Sequence, residues 1–315
     1  MVHFLLIEKY IGILMKAMWY HNYIISSKWA FKSSFSTKSS QFDDFYSAHK
    51  FIDPNWLTWF IGFSEGDGGL HVYNNKSCIF GLTQKEESIL TEVQSVLGFG
   101  RVYFDTSANA YRYRVNTKSD IFKLAILFNG RLATKNQINQ LKNWIDVLNA
   151  DSVKLTFNPN PFIPTLNDSW LSGFTTAEGS FMVGVVNQKS KKEVIDSEGN
   201  LGVKEVISQL IRVRFVLEQN EEAILLHIKN LFGVGNVQKI EYAQTSSTQG
   251  IFRYSIGSFK SNSVTVDYFL AYPLKGKKLS AFLKWKHIRE MLLEKKHLEV
   301  GGFELISEMA KSINN

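Results

Sequence analysis

Apolar residues recur at helical spacing in two segments of the chain, and two short strands are predicted ahead of each segment. The helical positions are Ile89, Leu90, Val93 and Leu97 in the first segment, and Ile224, Leu225, Ile228 and Leu231 in the second. This spacing predicts an amphipathic helix with one buried face. Two glycines follow each predicted helix, and a second pair of strands is predicted beyond them.

The two segments belong to a longer internal repeat. FGLTQKEESIL, from Phe80, matches FVLEQNEEAIL, from Phe215, at an offset of 135 residues (215 − 80). Upstream, WFIGFSEGD, from Trp59, matches WLSGFTTAE, from Trp170, at an offset of 111 residues (170 − 59). The offset grows mainly through a polar insertion at residues 187–208. The repeat predicts an α+β protein formed by duplication, with an antiparallel sheet in each copy.

The repeat boundaries divide the chain into four predicted parts. Residues 1–50 form an N-terminal tail, 51–150 the first repeat, 151–168 a linker and 169–315 the second repeat. Three of the five prolines fall in the linker, and proline lacks an amide donor and fixes its own φ, so an extended connection is expected. The apolar run of the tail is broken by charges and is shorter than the roughly 20 apolar residues of a membrane span. No membrane association is therefore expected.

Each repeat opens with a predicted helix that ends on a carboxylate. Asp67 and Glu178 occupy these ends, where the negative pole of the helix dipole disfavours an acid. Both helices also carry a row of small residues four positions apart, formed by Gly62 and Gly66 in one and by Gly173 and Ala177 in the other. Such rows allow two helices to pack with their backbones in contact. The two carboxylates would then emerge side by side, and hard oxygen ligands of this kind select Mg²⁺.

The motifs FIGFSEGDG, Phe60–Gly68, and LSGFTTAEG, Leu171–Gly179, resemble the two motifs of the LAGLIDADG homing endonucleases. The chain is most similar to the single-chain, double-motif members encoded in organellar introns, over about residues 51 to 310. This resemblance implies two αββαββα units related by a pseudo-twofold axis through the motif helices. It also implies that the two sheets form a saddle over the major groove of double-stranded DNA.

The resemblance assigns catalytic roles residue by residue. Asp67 and Glu178 would bind the divalent metal, with the carbonyls of Gly66 and Ala177 as nearby ligands. Gln84 and Gln219 match the family's glutamine at the end of the second strand. The family lysine follows a YPL-like turn, which points to Lys278 in YPLKGKK, whereas NGRLATK departs from that pattern and makes Lys135 the first-repeat candidate.

Strand alternation predicts which side chains face the DNA. Arginine can bind guanine with two hydrogen bonds, and asparagine or glutamine can bind adenine in the same way. The predicted outward residues are His71, Tyr73, Asn75, Arg101, Tyr103, Arg112 and Arg114 in the first repeat, and Met182, Gln188, Arg212, Arg214, Gln238 and Arg253 in the second.

Composition changes this picture little. A formal net charge of +7 favours a polyanionic partner. The single cysteine excludes an internal disulfide framework. No glycine-rich phosphate loop follows a predicted strand, so a nucleotide cofactor is not expected. The abundance of Asn, Lys, Ile and Phe is typical of an AT-rich gene and favours a mitochondrial or other organellar protein.

Two functions fit these features. The first is a monomeric, Mg²⁺-dependent endonuclease that cuts a long asymmetric DNA site and promotes homing of its own intron. The alternative is an RNA-binding maturase that helps its host intron to fold, alone or beside cleavage. Both carboxylates are present, which favours cleavage, because an RNA-binding protein has no need of two acids that repel a polyanion.

Overall fold

The computed structural model describes residues 52–150, 154–195, 201–240 and 250–313. The predicted N-terminal tail lies outside these residues. In the first half, the helices and strands follow one another as α1 (Pro54–Asp67), β1 (Gly68–Tyr73), β2 (Ser77–Gln84), α2 (Glu87–Leu97), β3 (Arg101–Asp105), β4 (Ala110–Val115), α3 (Lys118–Phe128) and α4 (Lys135–Ala150). The order helix, two strands, helix, two strands, helix predicted for this copy is confirmed, and a further helix closes it.

The second half repeats this order. It contains α5 (Trp170–Glu178), β5 (Gly179–Ile195), β6 (Leu201–Gln219), α6 (Glu222–Phe232), β7 (Asn236–Ile240), β8 (Ile251–Ile256), α7 (Ser263–Ala271) and α8 (Gly276–Leu293), followed by a 3₁₀ turn (Lys296–Leu298) and α9 (Gly302–Lys311). The residues between Lys154 and Asn167 contain no helix or strand, in agreement with the predicted linker.

Each half has one four-stranded antiparallel sheet, with strand order β1-β2-β4-β3 in the first and β5-β6-β8-β7 in the second. The α+β class is confirmed. The polar insertion does not form a loop, as the sequence suggested. It extends the first two strands of the second sheet, which stay paired from Gly179 opposite Leu217 to Ile195 opposite Leu201.

Equivalent aromatic residues fill the two cores. Phe80, Tyr113, Phe128 and Trp144 are fully buried in the first half, and Phe215, Tyr254, Phe269 and Trp285 take their places in the second. The hydroxyl of Tyr113 donates to the carbonyl of Phe99 at 2.9 Å, and the hydroxyl of Tyr254 donates to the carbonyl of Val234 at the same distance. Burying one such aromatic side chain stabilises the fold by roughly 1.5–3 kcal/mol, so each half has a full core of its own.

The buried faces of α2 and α6 are nearly those predicted. Ile89, Leu90, Val93 and Leu97 are all buried in α2. In α6 the fourth buried position is Phe232 and not Leu231, because the helix continues one residue further toward its C-terminal glycine. Cys78 is buried in β2, where it packs as a small apolar residue. Within the described part of the chain, none of the helices combines the length and the apolar character needed to cross a membrane.

Candidate active site

The two motif helices, α1 and α5, pack against each other through their small residues. A Cβ atom at Gly62 would lie 2.0 Å from the carbonyl oxygen of Trp170, and one at Gly173 would lie 1.9 Å from that of Trp59. At the far end, a Cβ at Gly66 would lie 2.3 Å from the Cβ of Ala177. The predicted backbone contact between the helices is confirmed, and it brings Asp67 and Glu178 to the same end of the helix pair.

Neither helix ends with the left-handed residue that commonly follows a helix. Gly68 has φ −94° and ψ 148°, and Gly179 has φ −78° and ψ 152°, so both are extended. A side chain at either glycine would collide with the preceding turn, 2.3 Å from the carbonyl oxygen of Ser64 or 2.6 Å from that of Thr175. Each chain therefore passes directly from its acid into the first strand of a sheet.

The two carboxylates share a buried, electrostatically unfavourable environment. Burial raises the pKa of Asp67 to about 6, although a hydrogen bond from the Gln84 side chain and the positive charge of Lys278 act against this. Burial also raises the pKa of Glu178 to about 7, and the negative charges of Asp67 and Glu218 raise it further. A carboxylate in such surroundings gains from a cation placed beside it.

Lys278 is the basic group of this site. It lies in the first turn of α8, and its ammonium donates a hydrogen bond to the carbonyl of Gly179, the residue after Glu178. Burial lowers the pKa of Lys278, while the charges of Asp67 and Glu178 act to raise it. One lysine therefore interacts with both acids.

The equivalent position in the first half holds a glutamine. Trp144 and Trp285 are equivalent at an offset of 141 residues (285 − 144), and the same offset relates Gln137 to Lys278. Gln137 Nε2 donates to the carbonyl of Gly68 at 2.7 Å, which repeats the contact of Lys278 with Gly179. The sequence pattern predicted Lys135 instead, but that residue is exposed, and its backbone N–H donates to Glu221 at 2.8 Å. The structure thus places Gln137, not Lys135, beside the end of α1.

The two predicted glutamines also differ. Gln84, the last residue of β2, donates through Nε2 to a carboxylate oxygen of Asp67. Gln219 ends β6 as predicted, but its side-chain oxygen accepts a hydrogen bond from the backbone of Asn220 at 2.7 Å. Glu178 instead faces the neighbouring Glu218. The two halves of the site are therefore chemically different.

Glu65 is a buried carboxylate that sequence reasoning missed, two residues before Asp67. It accepts hydrogen bonds from the backbone N–H of Ala133 at 2.9 Å and of Thr134 at 2.7 Å, and from Trp170 Nε1 at 2.7 Å. Burial raises its pKa to about 7 despite these donors. Glu65 joins both motif helices to the start of α4. Its counterpart Thr176 (65 + 111) receives only a 3.4 Å contact from Trp59 Nε1.

Two further glutamates connect the halves reciprocally. Glu221 accepts hydrogen bonds from Lys135 N–H and from Asn136 N–H, the latter at 2.7 Å, at the start of α4. Glu86, its equivalent in the first half, accepts from Lys277 N–H at 2.7 Å at the start of α8. Acids at helix N-termini satisfy free amides and complement the helix dipole. Both glutamates lie two residues beyond the site glutamines, so the same loops supply the site and join the two halves.

The predicted outward residues line the exposed faces of the two sheets. In the first half, Arg101 is paired with Arg114 and Tyr103 with Arg112 across β3 and β4, so all four share a face with His71 and Tyr73. Asn75 was predicted on the strand, but β1 ends at Tyr73, and Asn75 has φ 54° in the turn that follows. Arg112 forms an ion pair with Asp105 at 2.7 Å.

In the second half, Met182 is paired with Arg214, and Gln188 with Ser208, across β5 and β6. Arg212 lies opposite Gly184 on the same face, and Gln238 is paired with Arg253 across β7 and β8. Arg253 Nε donates to Glu218 Oε1 at 2.6 Å, so this arginine connects the sheet face to the carboxylate pair.

The raised pKa values predict a stability that falls as pH rises. A carboxyl with a higher pKa folded than unfolded favours the native state at low pH, and this contribution is lost as the pH rises from about 4 through 7. Without divalent metal at pH 8, we therefore expect Asp67→Asn to be more stable than the unchanged protein by roughly 3 kcal/mol, at 1.36 kcal/mol per pKa unit. Urea unfolding in EDTA at pH 5 and pH 8 measures the difference.

The matched control is Asp146→Asn, which neutralises an exposed acid that pairs with Lys142 on α4. It should change the unfolding free energy by less than about 0.5 kcal/mol at either pH. If Asp67→Asn were no more stable than the unchanged protein at pH 8, the strain assigned to the buried carboxylate would be absent.

Comparison with known proteins gives the family. The family model described as "LAGLIDADG endonuclease" matches twice, at residues 60–148 and 171–289. The chain is 31% identical over 280 residues to "Probable intron-encoded endonuclease 4" of Neurospora crassa, an alignment covering 84% of this chain and 45% of the relative. It is 26% identical to an uncharacterised cox1 intron-2 protein of Schizosaccharomyces pombe, over 81% of this chain and 72% of that protein.

A shorter match, 28% identical over 43% of this chain and 20% of the relative, is to "Intron-encoded RNA maturase bI4" of Saccharomyces cerevisiae. The chain thus spans less than half the length of some of the curated relatives it matches.

Solved structures agree on the fold. A mutant of I-SmaMI has a TM-score of 0.62 at 18% identity, covering 82% of this chain and 98% of that one. The meganuclease I-CpaMI, bound to uncleaved DNA, has a TM-score of 0.55 at 16% identity, covering 82% of this chain and 99% of that one. With both motif helices, both sheets and two matches to the family model, this chain belongs to the LAGLIDADG endonuclease family, as a double-motif member.

Proposed function

We propose that this protein is a site-specific, Mg²⁺-dependent endonuclease that cuts both strands of a long, asymmetric DNA target and promotes homing of the intron that encodes it. The observation that supports this most directly is the pair of buried carboxylates, Asp67 and Glu178, at the joined ends of α1 and α5. Their raised pKa values mean that a cation beside them is favourable. Two acids serve two strands.

The donors present fit a divalent cation of the Mg²⁺ type. Among the described residues, no group of three or more His, Cys, Asp or Glu side chains is placed to hold a metal. Mg²⁺ is commonly held by one or two carboxylates together with substrate phosphates, so two acids are enough. Asp67, Glu178 and the carbonyls of Gly66 and Ala177 would bind it. When bound, the metal would activate water and stabilise the charge that develops on the phosphate.

The protein's own groups would orient the reactants around this centre. Gln84 holds Asp67 through its side-chain amide, which fixes the orientation of that carboxylate. Lys278 supplies a positive charge close to both acids and to the start of β5. At that place it can stabilise negative charge on a phosphate or on the leaving oxygen.

The sheet faces would read the target. The arginines of β3, β4 and β6 stand on exposed strand faces that begin beside the two acids, so DNA held on these faces has its backbone near the site. The two faces carry different residues, which predicts an asymmetric target. A solved relative in fold is bound to uncleaved DNA, which supports DNA as the ligand.

The proposal is tested by cleavage of a long duplex library with a randomised interior by purified protein in Mg²⁺ or EDTA. We expect one enriched asymmetric site, cut on both strands only in Mg²⁺, and activity from the monomer in gel filtration. A library that remains uncut in Mg²⁺ and in Mn²⁺ would contradict the proposal.

The different groups at the two acids predict unequal strand cleavage. Lys278→Met should slow cleavage of one strand by roughly 10²-fold, the usual size of a lost positioned charge or proton-transfer group, and leave the other strand less affected. The product would be a nicked circle. Strand-specific end labelling on a supercoiled plasmid measures both rates.

Lys135→Met provides the comparison, since it removes an exposed lysine at the same point of the other half. We expect less than roughly a threefold change in either strand, the small effect usual for an exposed surface residue. An equal loss from Lys135→Met would restore the original assignment of that lysine and contradict the role given to Gln137.

A second candidate function is supported by one observation, the match to a relative named as an intron-encoded RNA maturase. A maturase would bind its host intron RNA and accelerate splicing whether or not Asp67 is intact. Splicing of that intron with the unchanged protein and with Asp67→Asn distinguishes the two functions. The intron-encoded relatives, including one from a cox1 intron, support an organellar, mitochondrial setting.

A further inference from the structure

The first strand pair of the second sheet is far longer than its counterpart. β5 and β6 have 17 and 19 residues, whereas β1 and β2 have six and eight. β6 pairs with β8 only from Phe215 to Gln219, so beyond this point β5 and β6 continue as a two-stranded ribbon. We call residues 186–195 and 201–210 the long ribbon. A two-stranded ribbon adds little to a core, which suggests that its length serves binding.

The long ribbon continues the groove-facing side of the sheet. Successive positions of a strand alternate between its two faces, so positions an even number of residues from Met182 share its face. On that face the register pairs Gln188 with Ser208 and position 192 with position 204, and both of the latter are lysines. Two lysine positions directly opposite each other are unfavourable in a ribbon unless a counter-charge is available.

Acids of the ribbon lie on the other face. Glu193 and Glu205 are an odd number of positions from Met182 and its partner Arg214, respectively, and Glu205 forms an ion pair with Lys189 at 3.0 Å. Within the described residues of the ribbon, the groove-facing positions therefore include lysines and polar residues without an acid, while the opposite side has both signs of charge. This distribution suits a phosphate backbone on one side only.

We propose, on the basis of the endonuclease function above, that the long ribbon binds the DNA backbone beyond the second half-site and makes the protein's footprint longer on that side. β5 starts next to Glu178, and its extra 11 residues relative to β1 (17 − 6) extend it by about 36 Å at 3.3 Å per residue. That is about 10 base pairs of duplex, or one helical turn, at 3.4 Å per base pair.

The test uses the target obtained by selection, with unrelated sequence of slightly more than one helical turn, about 12 base pairs, added at either end. Extension on the second-half side should tighten binding of the unchanged protein and extend its nuclease footprint by about one turn, whereas extension on the first-half side should do neither. In Lys192→Ala/Lys204→Ala, the gain from extension should be lost. The slope of log affinity against log salt concentration should fall by about 2, because two phosphate contacts are removed.

Lys189→Ala/Lys191→Ala is the matched control, since it removes the same charge from the opposite face of the same ribbon. It should keep the longer footprint. Cleavage of the minimal target at saturating protein should be unchanged in both variants, which shows that they are folded. Equal footprints on the two sides, or equal losses from the two double variants, overturn the ribbon proposal while cleavage stands. Absence of any cleaved duplex, with ribbon-dependent binding to intron RNA, overturns both proposals.

Discussion

Asp67→Asn and Glu178→Gln are each expected to abolish double-strand cleavage, with a loss of about 10³-fold or more, while the affinity for target DNA falls little. Each change preserves shape but removes a negative charge from the carboxylate pair that would hold the metal. Loss of a charge that acts directly on the reacting phosphate commonly costs about 10²- to 10³-fold, and loss of metal adds to this. Cleavage rates with excess protein and gel-shift affinities in Ca²⁺ provide the two measurements.

Asp146→Asn again serves as the matched control, because it makes the same chemical change on an exposed helix surface. It should retain full cleavage. If either motif variant still cut both strands at a rate near that of the unchanged protein, the carboxylate pair would not be the catalytic centre. A loss of DNA affinity as large as the loss of cleavage would show that these acids support the fold and not the reaction.

Gly62→Ala and Gly173→Ala are expected to have the largest effect on stability. The added Cβ atoms would lie 2.0 Å and 1.9 Å from carbonyl oxygens of the facing helix. Backbone atoms cannot rotate away as a flexible side chain can, so α1 and α5 would have to separate. Overpacking costs roughly 1–3 kcal/mol and occasionally more, and we expect at least about 3 kcal/mol here. For a folded unit of this size, that lowers Tm by roughly 6–12 °C.

Separation of the helices would also move Asp67 away from Glu178, so cleavage should fall even at temperatures where the variants are folded. Gly257→Ala is the control, because a Cβ at Gly257 would have no neighbour within 4 Å. Its Tm should stay within about 2 °C of the unchanged value. Variants of Gly62 and Gly173 that melt like Gly257→Ala would mean that the two helices are not in backbone contact.

The reciprocal bonds of Glu86 and Glu221 explain how two halves from a duplicated sequence act as one enzyme. Each glutamate is on the loop that follows a site glutamine and satisfies the first amides of a helix in the opposite half. Glu65 adds a third connection, from α1 to α5 and α4, in only one direction. The site is therefore supported by bonds that cross the pseudo-twofold axis.

Several features could be predicted from sequence because they depend on local pattern. The motif helices, the strands beside them and the buried faces of α2 and α6 follow from the spacing of apolar residues, and the duplication follows from matched segments. The pairing of Asp67 with Glu178 was also predictable, since Gly62 and Gly173 are informative only if the helices touch. Glu65 could have been suspected from its place within the motif, but its four donors come from residues 68 or more positions away.

What the sequence determined by itself is the duplicated α+β fold and the two acids at its centre, because helical period, glycine rows and repeats are properties of neighbouring residues. Tertiary structure alone decided which basic group belongs to the site. Lys135 and Gln137 differ by two positions on one helix, and only the direction of that helix relative to Gly68 selects the glutamine. It also decided that residues 187–208 form a ribbon, because strand pairing depends on the partner and its register and not on the polarity of the segment.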